Sequence, residues 1–197
     1  IVPEAKMEVN YTNSWGDYDT EKSMATAMIE DGCVIISQHS DTEGPAEACE
    51  DATKKGTTVF HVGYNQSMVD IAPDSSLISS RQDYAPYEVG AVKAVMDGTE
   101  LPVDQWAGFD EGWVAMTELN EKIAAKGTQE AMDAAIKDFK DGKLTAKDIY
   151  KGDYKGTNPF DKNDTIDLTE GFAENSTQSA PTFAYVLDDI ITVLSTN

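Results

Sequence analysis

The stretch that decides the fold is residues 34–45, which read VIISQHSDTEGP. An apolar run over residues 34–38 predicts a strand, residues 39–42 form a polar tip, and the residues that follow have helical spacing. The same order recurs with strands at residues 7–12 and 58–62 and tips at residues 13–17 and 63–66. Strands that alternate with helices predict an α/β fold with a parallel sheet, whose ligands bind outside the carboxyl ends of the strands. We therefore expect the three tips to form a ligand site.

Composition argues against several classes of partner. The 197 residues include 15 Lys and Arg against 36 Asp and Glu, which gives a formal net charge of −21. Such a surface repels phosphate backbones and anionic headgroups, so we expect neither nucleic acid nor an acidic membrane as a partner.

No run approaches the roughly 20 apolar residues of a membrane helix, and the first residues lack a signal-peptide pattern. The length suits one α/β domain, or one domain and part of a second.

The first hundred residues have clear element boundaries. Helical spacing predicts three helices, over residues 19–31, 45–53 and 83–97. Gly32 and Gly98 end the first and the third, and a fourth strand is expected over residues 76–80. Asp83 is the expected N-cap of the third helix. The apolar face of that helix would consist of Val89, Val92, Val95 and Met96.

Beyond residue 100 the pattern changes. The predicted elements are strands over residues 105–109 and 113–116, a helix from Thr128 to Gly142, a hairpin at residues 150–156 and a helix over residues 182–194. Residues 143–176 are polar and rich in turn formers. A long stretch of this kind inside a compact domain indicates a functional segment or a surface that expects other protein.

The first two tips contain the candidate ligand residues. Trp15 would stack on a flat ring and Asp17 would accept hydrogen bonds, unless Trp15 packs on a loop and Asp17 caps the following helix. His39, Ser40 and Asp41 cluster at a helix start, where free amide groups also receive polar ligands. Asp41 could instead cap that helix, but the cluster as a whole favours a binding site.

Neither a metal nor catalysis is indicated. The two histidines and two cysteines lack any zinc-ligand spacing such as CxxC or HExxH, so no metal and no cofactor is predicted. Cys33 and Cys49 could form a disulfide or remain a buried, reduced pair. The sequence has no serine-nucleophile elbow and no phosphate-binding loop. The polar residues of the second tip are consecutive, and consecutive residues rarely form a catalytic triad. Binding without chemistry is the simpler interpretation.

Several segments resemble, in order, one family of solute-binding proteins. They are residues 11–17, 25–32, 34–45, 84–87, 92–99 and 106–112, and for the tail residues 174–175 and 179–183. The resemblance is to the second lobe of the basic membrane protein family, the substrate-binding lipoproteins of ABC importers that include purine nucleoside receptors. It implies an α/β, parallel-sheet lobe of the periplasmic-binding-protein-like type I (clamshell) fold, and a chain that holds one of two lobes.

The family's ligand residues transfer unevenly. Where nucleoside-binding members have Val-Asp-Ser-Asp-Gln, with an aspartate that holds ribose, this chain has Val-Gly-Tyr-Asn-Gln at residues 62–66. A free base, or a different flat polar solute, therefore becomes as credible as a nucleoside. The family's lysine after the fourth strand is replaced by Arg81 or Gln82, and its aromatic residue before Gly-Pro-Tyr is Tyr84. Arg81, the chain's single arginine, could bind a polar solute or pair with Asp83 or Asp17.

We expect residues 1–112 to form the ligand-binding lobe and residues 113–197 to complete it or to reach towards another lobe. The expected function is that of an extracytoplasmic receptor for a purine base or nucleoside, which is lipid-anchored at the cell surface in the full-length protein and delivers its solute to an ABC permease. The expected ligand residues are Trp15, Asp17, His39, Ser40, Asp41, Asn65, Arg81 and Tyr84.

Two other functions stay open on the sequence alone. A nucleoside hydrolase would use Asp41 with His39 in the same cleft, and a sensor domain would dock a partner through its acidic surface. The sequence also predicts a homodimer of the isolated chain, which sedimentation at two concentrations would detect, because four apolar side chains would be exposed. They are Val114, Met116, Ile191 and Val193.

Overall fold

The computed structural model describes residue 2 and residues 4–173 and 182–196. Its strands are β1 (Met7–Tyr11), β2 (Ile35–Ser37), β3 (Phe60–Tyr64), β4 (Ser76–Gln82), β5 (Val114–Met116), β6 (Lys155–Asn158), β7 (Asp161–Asp167), β8 (Val186–Leu187) and β9 (Ile191–Thr196). Its helices are α1 (Tyr18–Glu30), α2 (Gly44–Lys54), α3 (Ala85–Asp97), α4 (Thr128–Lys140) and α5 (Ala146–Ile149). Most of the tail that resembles the family, residues 174–181, lies outside the described residues.

Four strands form the main sheet, in the order β2-β3-β4-β5. β2 pairs with β3 and β3 with β4 in parallel, and β5 is added antiparallel to β4. The helices α1 to α3 lie close to the predicted positions. The predicted α/β fold with a parallel sheet is therefore confirmed.

The main hydrophobic core lies where α1 and α2 pack on β2 and β3. Its buried residues are Ala25, Ile29, Ile36, Ala48, Cys49 and Val59. The two helices are in close contact at Gly44, where an added Cβ would lie 2.8 Å from the carbonyl oxygen of Tyr18. Lys22 Nζ bridges them at 2.9 Å from Glu47 and 3.1 Å from Asp51. This packing brings the first tip, which precedes α1, beside the second tip, which precedes α2.

β1 does not join the main sheet. It pairs in parallel with β9, with Met7 opposite Ile191 and Val9 opposite Val193. The helix predicted over residues 182–194 is therefore wrong. The β-branched run at residues 190–193 forms a strand because it can pair with β1. Asp189, with φ of 60°, turns the chain before it.

Two further predictions beyond residue 100 are wrong. Residues 105–109 form no strand, because the Gly108 amide donates to Glu111 Oε2 at 2.8 Å and the Gly108 carbonyl accepts from Trp113 at 3.0 Å, which closes a turn. The hairpin lies further along than predicted, since β6 and β7 pair across residues 159–160 in a three-stranded sheet of order β7-β6-β8. The four side chains predicted to drive dimerisation are half-buried in β5 and β9, so they do not supply the exposed apolar surface on which that prediction depends. The homodimer itself stays a prediction.

The apolar face of α3 is exposed. Val89, Val92, Val95 and Met96 are 67%, 60%, 75% and 81% exposed. Gly98 ends the helix in the left-handed conformation, with φ of 66°, as the sequence predicts. The N-cap is Tyr84, but Asp83 Oδ1 still accepts a hydrogen bond from the Ala85 amide at 3.1 Å.

Candidate functional site

The tips of β1, β2 and β3 meet at one edge, although β1 belongs to a separate sheet. The Asp41 amide donates to the Trp15 carbonyl at 2.8 Å, which joins the first tip to the second. The ring centroid of His39 lies 5.9 Å from that of Trp15 and 4.5 Å from that of Tyr64, both edge to face. Three rings therefore form a row across three strand ends.

A cleft of about 520 Å³ opens between β1 and β2 beside this row. Trp15, Gln38, His39 and Ser40 line its tip end, and Met24 and Met28 of α1 line its wall. The volume falls within the range of roughly 300–1,000 Å³ that small-molecule pockets occupy. We call it the first cleft.

A buried carboxylate fixes the first tip against the second. Glu21 is 3% exposed, and its Oε1 accepts from the Asp17 amide at 3.0 Å. Its Oε2 accepts from the Ser40 hydroxyl at 2.8 Å and from the Thr42 hydroxyl. The Ser40 hydroxyl is thus directed at Glu21 and joins the second tip to α1.

A second buried hydrogen-bond network supports the tip that follows β2. His61 Nε2 lies 2.8 Å from Gln38 Oε1 and His61 Nδ1 lies 3.2 Å from Ser76 Oγ. Gln38 Nε2 in turn donates to the carbonyls of Ser40 and Thr42, both at 2.8 Å. This pattern assigns the proton to His61 Nε2, because the Gln38 oxygen can only accept. Burial lowers the pKa of His61 to about 4, so the ring is neutral at pH 7.

This neutral histidine makes stability depend on pH. The unfolded chain binds a proton near the ordinary His pKa of 6.5, whereas native His61 binds one only near pH 4. The unfolded state therefore binds more protons between these values, and stability falls as the pH falls through that window. We expect the free energy of unfolding to drop by about 2 kcal/mol between roughly pH 7.5 and pH 5 on this account. Urea unfolding at each pH measures it.

The His61→Gln variant isolates that contribution from the carboxylates, and His39→Gln, at an exposed histidine, is its matched control. The free energy of unfolding should depend less on pH in His61→Gln than in the native protein, whereas His39→Gln should keep the native pH dependence. Identical curves for the native protein and His61→Gln would contradict the assignment.

Asp17 and Asp41 differ in what their carboxylates do. Asp17 caps α1, since its Oδ1 accepts from the Thr20 amide at 3.2 Å and its Oδ2 from the Thr20 hydroxyl at 2.8 Å. Asp41 is exposed beside Trp15, and within the described part of the chain nothing donates a hydrogen bond to its carboxylate. Of the two, Asp41 is the one that can meet a solute.

The ends of β3 and β4 are joined by Asn65. It adopts a left-handed conformation with φ of 62°, and its amide donates to the Ser80 carbonyl at 2.7 Å. Its Oδ1 accepts from the Gln82 amide at 3.3 Å. Arg81 Nη2 pairs with Asp83 Oδ2 at 2.9 Å, which is the pairing that the sequence left open as an alternative to solute binding.

Tyr84 lines another cleft. This second cleft, also of about 520 Å³, lies between the start of α3 and residues 102–107, and the described residues that line it do not overlap with those of the first. Of the eight predicted site residues, six lie in the three tips, Arg81 lies near the end of β4, and Tyr84 lines the second cleft.

The two cysteines are not joined by a disulfide. Cys33 and Cys49 are free thiols, with Cys33 Sγ 3.5 Å from Glu8 Oε2, and burial raises the pKa of Cys49 to about 12. Among the described residues there is no group of three or more His, Cys, Asp or Glu placed to hold a metal ion. No helix in that part of the chain has the length and apolar character needed to cross a membrane.

Solved structures with the same arrangement define the class of fold. An ABC transporter solute-binding protein of Conexibacter woesei superposes with a TM-score of 0.52 at 15% identity, over 68% of this chain and 44% of that one. A transcriptional activator of the comK gene from Bacillus halodurans gives a TM-score of 0.55 at 18% identity, over 68% and 46%. The fold is a periplasmic-binding-protein-like lobe.

Sequence comparison gives the family. The Bmp family model, described as ABC transporter substrate-binding protein PnrA-like, matches residues 2–148, and the chain belongs to this family. A purine-binding protein of Brucella abortus is 33% identical over 138 residues, which are 70% of this chain and 38% of that protein. A protein of Haloferax volcanii named for glucose binding by an ABC transporter is 27% identical over 124 residues, 63% of this chain and 30% of that one. The chain spans less than half of the length of either relative.

Proposed function

We propose that this chain is a solute-binding lobe of an extracytoplasmic ABC-importer receptor, and that its solute is a purine base or nucleoside. The observation that carries the proposal is the row of rings formed by Trp15, His39 and Tyr64 at the strand ends. A purine presents two flat faces for stacking and a polar edge for hydrogen bonds. The PnrA-like family and the purine-binding relative support this choice of solute.

In this proposal each tip has its own role. Trp15 stacks on the base, while His39 and Asp41 bind its polar edge. Asp17, Ser40 and Asn65 hold the tips in place, because their side chains are bonded to Thr20, Glu21 and the Gln82 amide. Arg81, near the end of β4, is paired with Asp83 outside the row of rings, and Tyr84 takes no part.

The other components of the proposal follow from the family. Residues 1–112 would supply the binding surface and residues 113–197 would complete the lobe through β5 and β9. A second lobe would cover the other face of the solute, a permease would receive it, and a lipid anchor would hold the full-length protein outside the cell. Closure of the two lobes would signal to the permease. The charge of −21 makes nucleic acid a poor partner.

Replacement of Trp15 tests the proposed site. Trp15 is 65% exposed, so Trp15→Ala should leave the melting temperature nearly unchanged. Because a stack on one base contributes roughly 1–3 kcal/mol, purine affinity should fall about 10- to 100-fold. Calorimetry with purine bases, their nucleosides and glucose measures it, and binding to this chain alone should be weak, with Kd above about 1 μM, since one lobe forms one wall of the pocket.

Trp106→Ala is the matched control, because Trp106 is also exposed, at 55%, and lines the second cleft. Purine affinity unaffected by Trp15→Ala, or a preference for glucose over every purine, would overturn the proposal. A nucleoside recovered as free base and sugar after incubation would favour the hydrolase instead.

A further inference from the structure

The second cleft is walled by aromatic rings. Its four rings are those of Tyr84, Tyr87, Trp106 and Trp113. Three of them are exposed, Tyr84 at 60%, Trp106 at 55% and Tyr87 at 38%. The Tyr87 and Trp113 rings meet edge to face at 5.6 Å and 77°. Aromatic surface grouped in a concave site, and left open to solvent there, indicates a ligand that interacts with ring faces.

The walls of this cleft are held on paired strands. The Asp83 amide donates to the Trp113 carbonyl at 2.8 Å, directly beyond the antiparallel rung of Gln82 and Val114. Tyr84 and Tyr87 begin α3 on one side, and Trp113 leads into β5 on the other. At least two walls are thus fixed relative to each other before any ligand arrives, which lowers the entropic cost of binding.

The charge inside the cleft has one sign. Of the described residues that line it, Asp83 and Asp104 carry charge and none is Lys, Arg or His. Arg81, which does not line the cleft, pairs with Asp83 and offsets part of its charge. The chain as a whole carries −21, so the potential at the cleft is negative and repels an anion.

Aromatic faces and negative potential together select a cation. We propose that the second cleft binds an organic cation with an alkylated ammonium group, held by the faces of Tyr84, Tyr87 and Trp106. An ammonium over an aromatic face is attracted by the ring quadrupole, and alkyl groups lower the cost of removing it from water. This site is independent of the solute of the first cleft, and it would bind its ligand whether or not that solute is a purine.

The test compares two probes of the same shape. Choline carries the ammonium, and 3,3-dimethylbutan-1-ol is its uncharged isostere. The Trp15→Phe variant is the reporter, because of the chain's three tryptophans it retains only Trp106 and Trp113, both in the second cleft. Titration followed by tryptophan fluorescence should show choline binding at least about 10-fold tighter than the alcohol, and weaker at high salt.

Variants locate the binding. Calorimetry with choline should show at least a 10-fold loss in Trp106→Ala, a several-fold loss in Asp104→Asn and no change in Trp15→Ala, with circular dichroism to verify that each variant is folded. Equal affinity for choline and the alcohol, no choline binding at millimolar concentration, or a loss in Trp15→Ala would each overturn the proposal. Binding of a proline-rich peptide without choline binding would overturn it in favour of a peptide groove.

Discussion

Glu21→Ala is expected to lower the free energy of unfolding by about 3–5 kcal/mol, because it leaves three hydrogen-bond donors without their common acceptor. The Asp17 amide and the hydroxyls of Ser40 and Thr42 all donate to this carboxylate, which is 3% exposed. The melting temperature should fall by roughly 10 °C. Thermal and urea unfolding followed by circular dichroism measure both quantities.

The isosteric Glu21→Gln variant should cost less, because its remaining side-chain oxygen still accepts from one of the two tips. Glu30→Ala, at an exposed position on the same helix, is the control and should change stability by less than about 0.5 kcal/mol. If Glu21→Ala were as stable as Glu30→Ala, the carboxylate would not hold the tips together.

Gly63→Ala is the second change with a large expected effect. An added Cβ at Gly63 would overlap Ser79 Oγ and would lie 3.2 Å from both His61 Cε1 and Met68 Cγ. All of these atoms belong to buried side chains, so the main sheet must shift, at a cost of about 3 kcal/mol. Urea unfolding gives the value.

A double-mutant cycle with Ser79→Ala tests the cause. Ser79 Oγ is buried and has no hydrogen-bond partner among the described residues, so its removal alone should cost little. Gly63→Ala should then cost about half as much in the Ser79→Ala background. Gly90→Ala is the control, since nothing lies within 4 Å of its added Cβ and alanine favours the helix. Additive effects of the two changes would show that the overlap is not what destabilises Gly63→Ala.

The sequence predicts the units that depend on local signals. The strand, tip and helix pattern at residues 34–45 identifies β2 and α2, and Gly32 and Gly98 end their helices as expected. The failure at residues 182–194 has a non-local cause. Val186, Leu187 and Ile191 fit a helix as well as a strand when considered alone, and distant strands decide between them, β6 for the first two and β1 for Ile191.

The residues exposed at the candidate site can be predicted from the sequence, whereas the buried residues that support them cannot. Trp15 and His39 are large or polar side chains at strand ends, and such positions can be recognised from the sequence. Glu21 reads as a solvated helix residue and Gln38 as the end of a strand, because a buried hydrogen-bond network has no signature in spacing. The assignment of Tyr84 to a second cleft also depends on the turn at Gly108 that places Trp106 and Trp113.

The pairing of β1 with β9 has a consequence for the order in which the molecule is assembled. Most of the described residues lie between these two strands, so β1 leaves the ribosome long before its ladder partner β9 is synthesised. The contacts of α1 with β2, and of α2 with β2, β3 and β4, are shorter in sequence and can form during that interval. The segment that carries Trp15 is therefore fixed at its β1 end only after β9 has been synthesised, so the edge formed by the tips matures later than the core between α1, α2 and the main sheet.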